Sequence, residues 1–289
     1  MSWRTVVISG SAKLDYQMGY MLVRQKEITK IHLSEMALLL VESTAVSVTA
    51  SLLAELMKQK VKVIFCDEKR NPSAELLPYY GSHDCSAKVR TQIEWGTDIK
   101  QLIWTEIVTE KIRNQRKLLL AEGKEKEAGM LEGYIAEMQP GDVTNREGHA
   151  AKVYFNALLG KDFSRTQEIP FNAALNYGYS ILLSVINREI VANGYLTQLG
   201  FFHDNMFNSF NLGSDLMEPF RYFADRKVYD MQPEKFEHEE KMEVLNILNQ
   251  EVQMDGKKQF LSNAMKLYCR SIFDAVNERD ISLIRFCQW

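Results

Sequence analysis

The sequence is poor in cysteine and has no long apolar run. Its four cysteines, Cys66, Cys85, Cys269 and Cys287, are widely separated and form no Cys-x-x-Cys pair. This pattern is typical of thiols in a reducing compartment and argues against a zinc site or a disulfide framework. No segment reaches the roughly 18 uninterrupted apolar residues of a membrane span, and the first residues do not resemble a signal peptide. We therefore expect a cytoplasmic protein.

The chain also lacks a strong net charge of either sign. Its 35 Lys and Arg residues and 38 Asp and Glu residues give a net charge of −3 at pH 7. A protein that binds nucleic acid through its overall charge is usually strongly basic. Any contact with phosphates must therefore come from local basic patches.

The first part of the chain has the pattern of a small β-rich domain. From Trp3 to about Leu77, short apolar or alternating runs are separated by polar breaks, which predicts strands. One helix is expected among them, because Leu52 and Leu56 recur with helical spacing after Thr49. The predicted strands are Thr5–Ile8, Tyr20–Val23, Thr29–Leu33, Ala37–Val41 and Val61–Cys66.

After His83 the apolar residues recur with a period of 3.6, which indicates helices. The expected elements are a long helix over Ile99–Ile112, a charged helical hairpin over Glu122–Met138, a helix over Ala150–Leu158, a central helix over Phe171–Ala192 that Gly194 ends, and further helices up to Trp289. The sequence thus predicts a two-domain α+β fold. Its parts are a β-rich N-terminal domain at 1–78, a linker at 79–86 and a larger all-α catalytic domain at 87–289.

Glu147 is the first candidate for chemistry. It lies three and seven residues ahead of Ala150 and Tyr154, so it continues the apolar face of its helix and is expected to point inward. The alternative is a capping box, in which Thr144 and Glu147 only satisfy amides at the start of the helix.

Two further candidate segments follow the central helix. His203 lies in an aromatic loop, and loops between packed helices often carry binding residues; the alternative is a packed histidine at a loop corner. Asp215 and Glu218 stand three residues apart at the expected start of a helix, where acidic residues also favour the helix dipole without any ligand. Two carboxylates and an imidazole from separate helix edges would form a mixed oxygen and nitrogen site, which suits Mg²⁺ or Mn²⁺.

Basic residues flank these candidates and are possible contacts for a phosphate backbone, although solvated helix faces need no partner. They are Lys111, Arg113, Arg116 and Lys117 on the long helix, with Arg146, Lys152 and Arg165 around the helix of Glu147.

Four segments, Asn145–Ala151, Phe171–Tyr179, Gly200–His203 and Asp215–Phe220, resemble in order and spacing the CRISPR-associated spacer-acquisition integrase and endonuclease family. Ile31–Glu35 and Val63–Asp67 resemble the β-rich dimerisation domain of that family. The resemblance covers nearly the whole chain and is nearest to the subtype II-A form.

The resemblance implies the roles of individual residues. Glu147, His203 and Glu218 correspond to the catalytic metal ligands, and Asp215 has a supporting role nearby. Many relatives have Asp where this chain has Glu218. The implied reaction is attack by the 3′-hydroxyl of a captured DNA fragment on a phosphodiester at the edge of a CRISPR repeat, with endonuclease activity at the same centre.

The resemblance also implies partners. These are double-stranded DNA, as the captured fragment and as the repeat, and a small second adaptation subunit that bridges two homodimers formed through the N-terminal domains. The interference nuclease and a ring-shaped accessory protein of the same system are further implied partners.

Two other functions stay open at this point. The pairs His83-Asp84 and His203-Asp204 suggest a metal phosphohydrolase with a His-Asp doublet, although the other histidines lack the supporting spacing. The chain is alternatively a non-catalytic scaffold that binds nucleic acid and whose acidic residues only cap helices. Dependence on a divalent metal distinguishes the enzyme from the scaffold, whose binding should respond to salt alone.

Overall fold

The computed structural model describes residues 4–78 and 82–289. The chain divides into two compact units, of which the first ends at His83 and the second begins at Asp84. Residues 79–81 of the predicted linker lie outside the described residues. Its last two residues, Cys85 and Ser86, belong to the first helix of the second unit. The α+β class, with strands first and mostly helices afterwards, is confirmed.

Within residues 4–78 the chain forms two four-stranded sheets, one α-helix and a short 3-10 turn at Leu33–Glu35. The elements are β1 (Arg4–Ile8), β2 (Ala12–Gln17), β3 (Tyr20–Arg24), β4 (Ile28–His32), β5 (Met36–Val41), β6 (Val46–Val48), α1 (Ala50–Lys58), β7 (Lys62–Cys66) and β8 (Pro72–Leu76). The strand orders are β1-β5-β7-β8 and β4-β3-β2-β6. Apolar residues of both sheets and of α1, among them Leu14, Leu39 and Leu52, form one buried core.

The five predicted strands are confirmed as β1, β3, β4, β5 and β7, and the predicted helix as α1. The Thr49 hydroxyl accepts a hydrogen bond from the amide of Leu52 and so caps α1. Strands β2, β6 and β8 were not predicted. β2 contains charged residues, but Met18 and Gly19 at its end both have positive φ, which is the backbone of a tight hairpin turn into β3.

The second unit is mainly helical. Its elements are α2 (Cys85–Ile93), α3 (Thr97–Ala121), α4 (Glu125–Ala136), α5 (Arg146–Leu159), α6 (Pro170–Ala192), α7 (Asn211–Met217), α8 (Arg221–Met231), α9 (His238–Leu245), β9 (Glu251–Met254), β10 (Lys257–Phe260) and α10 (Leu261–Glu278). Short 3-10 turns include one at Glu218–Phe220, between α7 and α8. No helix of the described residues is long and apolar enough to cross a membrane.

Two predictions about this unit are wrong. It is not all-α, because β9 and β10 pair as an antiparallel hairpin. Asp255 and Gly256 form its turn with φ of 52° and 71°, and such two-residue Asp-Gly turns are a strong hairpin signal. The segment Glu122–Met138 holds the single helix α4 rather than a helical hairpin.

The central helix α6 is confirmed and ends before Gly194, which has a φ of 88°. It packs against α7, α8, α9 and α10. The close approach depends on Gly178, because a Cβ at that position would lie 2.8 Å from Ala224 Cβ on α8 and 3.2 Å from Val244 Cγ1 on α9. The centre of the unit is therefore packed without space for one further methyl group.

This packing predicts opposite effects for two glycine substitutions. Gly178→Ala should lower the free energy of unfolding by about 1–3 kcal/mol, because the added methyl group forces α8 and α9 apart. Gly129→Ala on α4 should raise it by about 0.5–1 kcal/mol, because a Cβ there meets nothing within 4 Å and alanine favours the helix. Urea denaturation of both variants measures these changes. Equal effects of the two substitutions would contradict the close packing at Gly178.

Candidate metal centre

Three elements that are distant in sequence bring two carboxylates to one ammonium group. Lys111 lies on α3, Glu147 in the first turn of α5, and Glu218 at the start of the 3-10 turn after α7. Lys111 Nζ lies 2.5 Å from Glu218 Oε2 and also contacts Glu147 Oε1. Lys111 and Glu218 are buried, with exposed fractions of 7% and 3%. The structure thus brings together Glu147 and Glu218, two of the three predicted ligands.

The local structure before α5 directs Glu147 inward. Asn145 is the N-cap residue and accepts a hydrogen bond from the amide of Gly148. The carboxylate of Asp142 accepts from the amides of Arg146 and Glu147 at 2.6 and 3.0 Å. The alternative of a capping box formed by Thr144 and Glu147 is therefore wrong, and the side chain of Glu147 is left to contact Lys111.

Glu218 is held from two sides. Arg221 Nε donates to its Oε1 at 2.8 Å, while Lys111 approaches its Oε2. Burial alone would raise the pKa of Glu218, but the charges of Arg221 and Lys111 outweigh it and lower the pKa to about 2. Arg221 was not among the candidate residues predicted from the sequence. Its position three residues after Glu218 was the signal that could have identified it.

Asp215 organises the loop that carries His203. It is completely buried, and its carboxylate accepts hydrogen bonds from the amides of Phe201, Phe202 and His203 at 2.6, 3.1 and 3.2 Å. Its Oδ1 also lies 2.6 Å from His203 Nδ1. The expectation that Asp215 and Glu218 begin a helix is wrong, because α7 starts at Asn211 and Asp215 lies inside it. Its carboxylate therefore binds the amides of the loop and does not lie at the N-terminus of a helix.

His203 interacts electrostatically with Glu147 and Glu218. Its pKa is raised, first by the hydrogen bond with Asp215 and further by the charges of Asp215, Glu218 and Glu147. Trp104 supports this loop by stacking on Phe202, with ring centroids 4.5 Å apart. Because Asp215 occupies Nδ1, the other ring nitrogen, Nε2, is left for a ligand.

The residues fit a divalent cation by the chemistry of their donors. Glu147, Glu218 and His203 supply carboxylate oxygens and one imidazole nitrogen, which suit Mg²⁺ or Mn²⁺. Glu218 Oε2 is buried and, among the described residues, receives no hydrogen bond of good geometry, although Lys111 Nζ is near. Among the described residues, no three His, Cys, Asp or Glu side chains lie in positions that could hold a metal ion without rearrangement. The cation that the two carboxylates contact is the ammonium of Lys111.

The predicted basic cluster on α3 is divided by the structure. Lys111 is buried against the carboxylates rather than on a solvated face. Arg113 pairs with Glu110, and Arg116 pairs with Glu132. Lys117 lies over the Trp289 ring, 5.0 Å from its centroid.

The basic residues around α5 have different surroundings. Arg146 pairs with Glu137 at 2.7 Å, and Lys152 is exposed. Arg165 donates to the side-chain oxygens of Asn172 and Asn176, at 2.6 Å each. Since neutral amides hold Arg165, its charge is not offset by these partners.

A second polar group lies behind Arg221. The hydroxyl of Tyr179 donates to the buried carboxyl of Asp225, and Arg221 lies over the Tyr179 ring, 4.5 Å from its centroid. Burial raises the pKa of Asp225 to about 6, although Tyr179 and Arg221 act in the opposite direction. No motif in the sequence predicted this group.

The raised pKa of Asp225 predicts a pH dependence of stability. Between about pH 4 and pH 6 the unfolded chain ionises this carboxyl while the folded chain keeps it protonated, so the native protein loses up to about 3 kcal/mol of stability as the pH rises. Asp225→Asn removes this loss, and its stability relative to native should rise across the same window. Denaturation curves at pH 4 and pH 7 measure the difference. A pH-independent difference for Asp225→Asn would contradict the assignment.

Comparisons with known proteins agree with one another. The family model described as CRISPR associated protein Cas1 matches residues 6–264. The CRISPR-associated endonuclease Cas1 of Neisseria meningitidis serogroup C is 34% identical over 229 residues, which cover 79% of this chain and 75% of that protein.

Solved structures share the fold. A casposase bound to its integration product has a TM-score of 0.77 at 17% identity, with 97% of this chain and 92% of that chain covered. A Cas6-RT-Cas1–Cas2 complex contains a similar region, with a TM-score of 0.74 at 18% identity, and 97% of this chain matches 36% of that longer chain. Since the family model covers most of the sequence and the Neisseria protein exceeds 30% identity, the chain belongs to the CRISPR-associated Cas1 family.

Proposed function

We propose that the chain is a divalent-metal-dependent DNA integrase and endonuclease of CRISPR adaptation. The observation that carries the proposal is the convergence of Glu147 and Glu218 on one cation, beside a histidine whose Nδ1 is fixed by Asp215. The names of relatives support the same activity, since the Neisseria relative is an endonuclease and the casposase was solved with its integration product.

Glu147, His203 and Glu218 would hold Mg²⁺ or Mn²⁺. When bound, the metal offsets charge on the phosphodiester and lowers the pKa of the attacking hydroxyl or water. Attack by the 3′-hydroxyl of a DNA fragment on a repeat phosphodiester forms a new P–O bond to the fragment and releases the 3′-hydroxyl of the attacked strand. Attack by water breaks the same bond and leaves a 5′-phosphate and a 3′-hydroxyl. Both outcomes use the same residues, which accounts for integrase and endonuclease activity at one centre.

The other residues of the centre position these ligands. Asp215 keeps the proton of His203 on Nδ1, so that Nε2 presents its lone pair. Arg221 fixes the rotamer of Glu218 through the 2.8 Å hydrogen bond. Three candidate phosphate contacts, Lys117, Lys152 and Arg165, form no ion pair with a carboxylate of the described residues, and we assign them to the DNA backbone.

The partners in this proposal are double-stranded DNA, the small second adaptation subunit and a second copy of the chain. A solved neighbour that contains both Cas1 and Cas2 supports the adaptation subunit. The N-terminal unit is proposed as the dimer contact, and the exposed apolar side chains of Met18, Tyr20 and Ile28 on its hairpins support this. The interference nuclease and the ring-shaped accessory protein remain predictions.

One observation bears on the phosphohydrolase alternative. Asp204 is exposed, and the aspartate that contacts His203 is Asp215, twelve residues away. A His-Asp doublet needs the two neighbouring side chains to act on the same metal. The geometry at His203 therefore favours the integrase over the phosphohydrolase.

Strand transfer of a short DNA duplex into a supercoiled plasmid that carries a repeat tests the proposal. In the presence of Mn²⁺ and the small adaptation subunit, native protein should give joined product that EDTA abolishes. His203→Ala should lower the initial rate at least about 100-fold, and Asp215→Asn about 10- to 100-fold, because loss of a partner behind a ligand weakens the metal centre by that range.

Asp204→Asn is the matched control, because it removes a carboxylate from the same loop at an exposed position. It should keep the native rate. Loss of activity in Asp204→Asn together with native activity in Asp215→Asn would support the phosphohydrolase instead. DNA binding without joined product, and without an effect of EDTA, would support the scaffold.

A further inference from the structure

Lys111 is buried, so its charge does not contribute to a solvated protein surface. It is buried on α3, and its ammonium contacts the carboxylates of both Glu147 and Glu218. Two oxygens that contact one nitrogen lie within about 6 Å of each other, twice the length of a charge-assisted hydrogen bond. A divalent cation bound to these same two oxygens would therefore lie close to the present position of Nζ.

We propose that Lys111 is a built-in competitor of the metal: its ammonium holds Glu147 and Glu218 together in the metal-free protein and leaves them when the cation binds. The inference rests on the proposed metal centre and assigns a regulatory role to a residue within it. The ammonium and the metal exclude each other, because they need the same oxygens and carry charge of the same sign.

The charges of the centre support an exchange. Glu147 and Glu218 carry two negative charges, and Lys111 and Arg221 carry two positive charges, so the metal-free group is balanced. Arg221 bonds Glu218 through Oε1, whereas Lys111 uses Oε2 and the carboxylate of Glu147. Lys111 is thus the cation between the two ligands, while Arg221 lies on one side of them. Its flexible four-carbon stem allows the ammonium to withdraw while the α3 backbone stays in place.

A purely structural ion pair makes the opposite prediction for metal binding. If Lys111 only positioned the two carboxylates, its removal would disorder them and weaken the metal. If it competes, its removal leaves two carboxylates without their cation and strengthens the metal. The sign of the change in metal affinity separates these roles.

Binding of Mn²⁺ alone, measured by electron paramagnetic resonance or calorimetry on the full chain, tests the inference. Lys111→Met, which keeps the length but not the charge, should lower the Mn²⁺ Kd at least about tenfold, as expected when a neighbouring like charge is removed from a buried site. Its melting temperature without metal should fall below native, and Mn²⁺ should raise it by more than in the native protein. Lys111→Arg keeps the charge and should not bind Mn²⁺ more tightly than native.

Lys100→Gln controls for the loss of a positive charge from α3, because it lies eleven residues earlier, about 16 Å along the helix. It should leave the Mn²⁺ Kd unchanged. If Lys111→Met is unfolded without metal, refolding on addition of Mn²⁺ supports the inference, and failure to refold overturns it. If native protein binds Mn²⁺ and Lys111→Met binds it equally or more weakly, the inference is wrong, whereas the proposed metal centre still holds. Absence of Mn²⁺ binding in both proteins overturns the proposed metal centre as well.

Discussion

Two carboxylates that face each other inside a protein require a cation between them. Glu218 is buried and Glu147 partly buried, and without a positive charge their mutual repulsion and their desolvation would both oppose folding. Lys111 meets this requirement and thereby links α3, α5 and the turn at Glu218–Phe220. Asn114, three residues further along α3, donates to the carbonyl of Pro219 at 3.1 Å and fixes the same turn. The helix α3 is consequently the common support of the centre.

A second buried carboxylate, that of Asp215, fixes the position of His203. Asp215 accepts from three consecutive amides and contacts the imidazole of His203, so its burial determines the course of the loop from Phe201 to His203. The loop also needs Gly200, where a Cβ would lie 2.4 Å from the carbonyl oxygen of His203. Trp104 extends from α3 to stack on Phe202. Hydrogen bonds to Asp215 and stacking on Trp104 thereby fix the course of this irregular segment and the orientation of the imidazole.

The surroundings of the centre divide the basic residues into two groups. Arg113, Arg116 and Arg146 pair with glutamates, and their charge is largely offset where they lie. Arg165 instead donates to two asparagine side chains and lies over the Tyr179 ring, so these neutral partners do not offset its positive charge. A chain with a net charge of −3 can thus offer positive charge to a phosphate only at selected positions.

The sequence by itself determined the elements whose signals are local. The apolar periods of β1, β5, α3 and α6, the cap at Thr49 and the stop at Gly194 all depend on residues within a few positions of one another. The hairpin of β9 and β10 also has a local signal, the Asp255-Gly256 turn. Only the tertiary structure decided that Lys111 contacts residues 36 and 107 positions away, because no spacing rule connects α3 to α5 and to the turn after α7. The same holds for Asp215, whose partners are set by how the loop folds back on α7. The sequence identifies Glu147 and Glu218 as candidate ligands by their residue type. Their contact with the ammonium of Lys111 exists only because distant helices pack together.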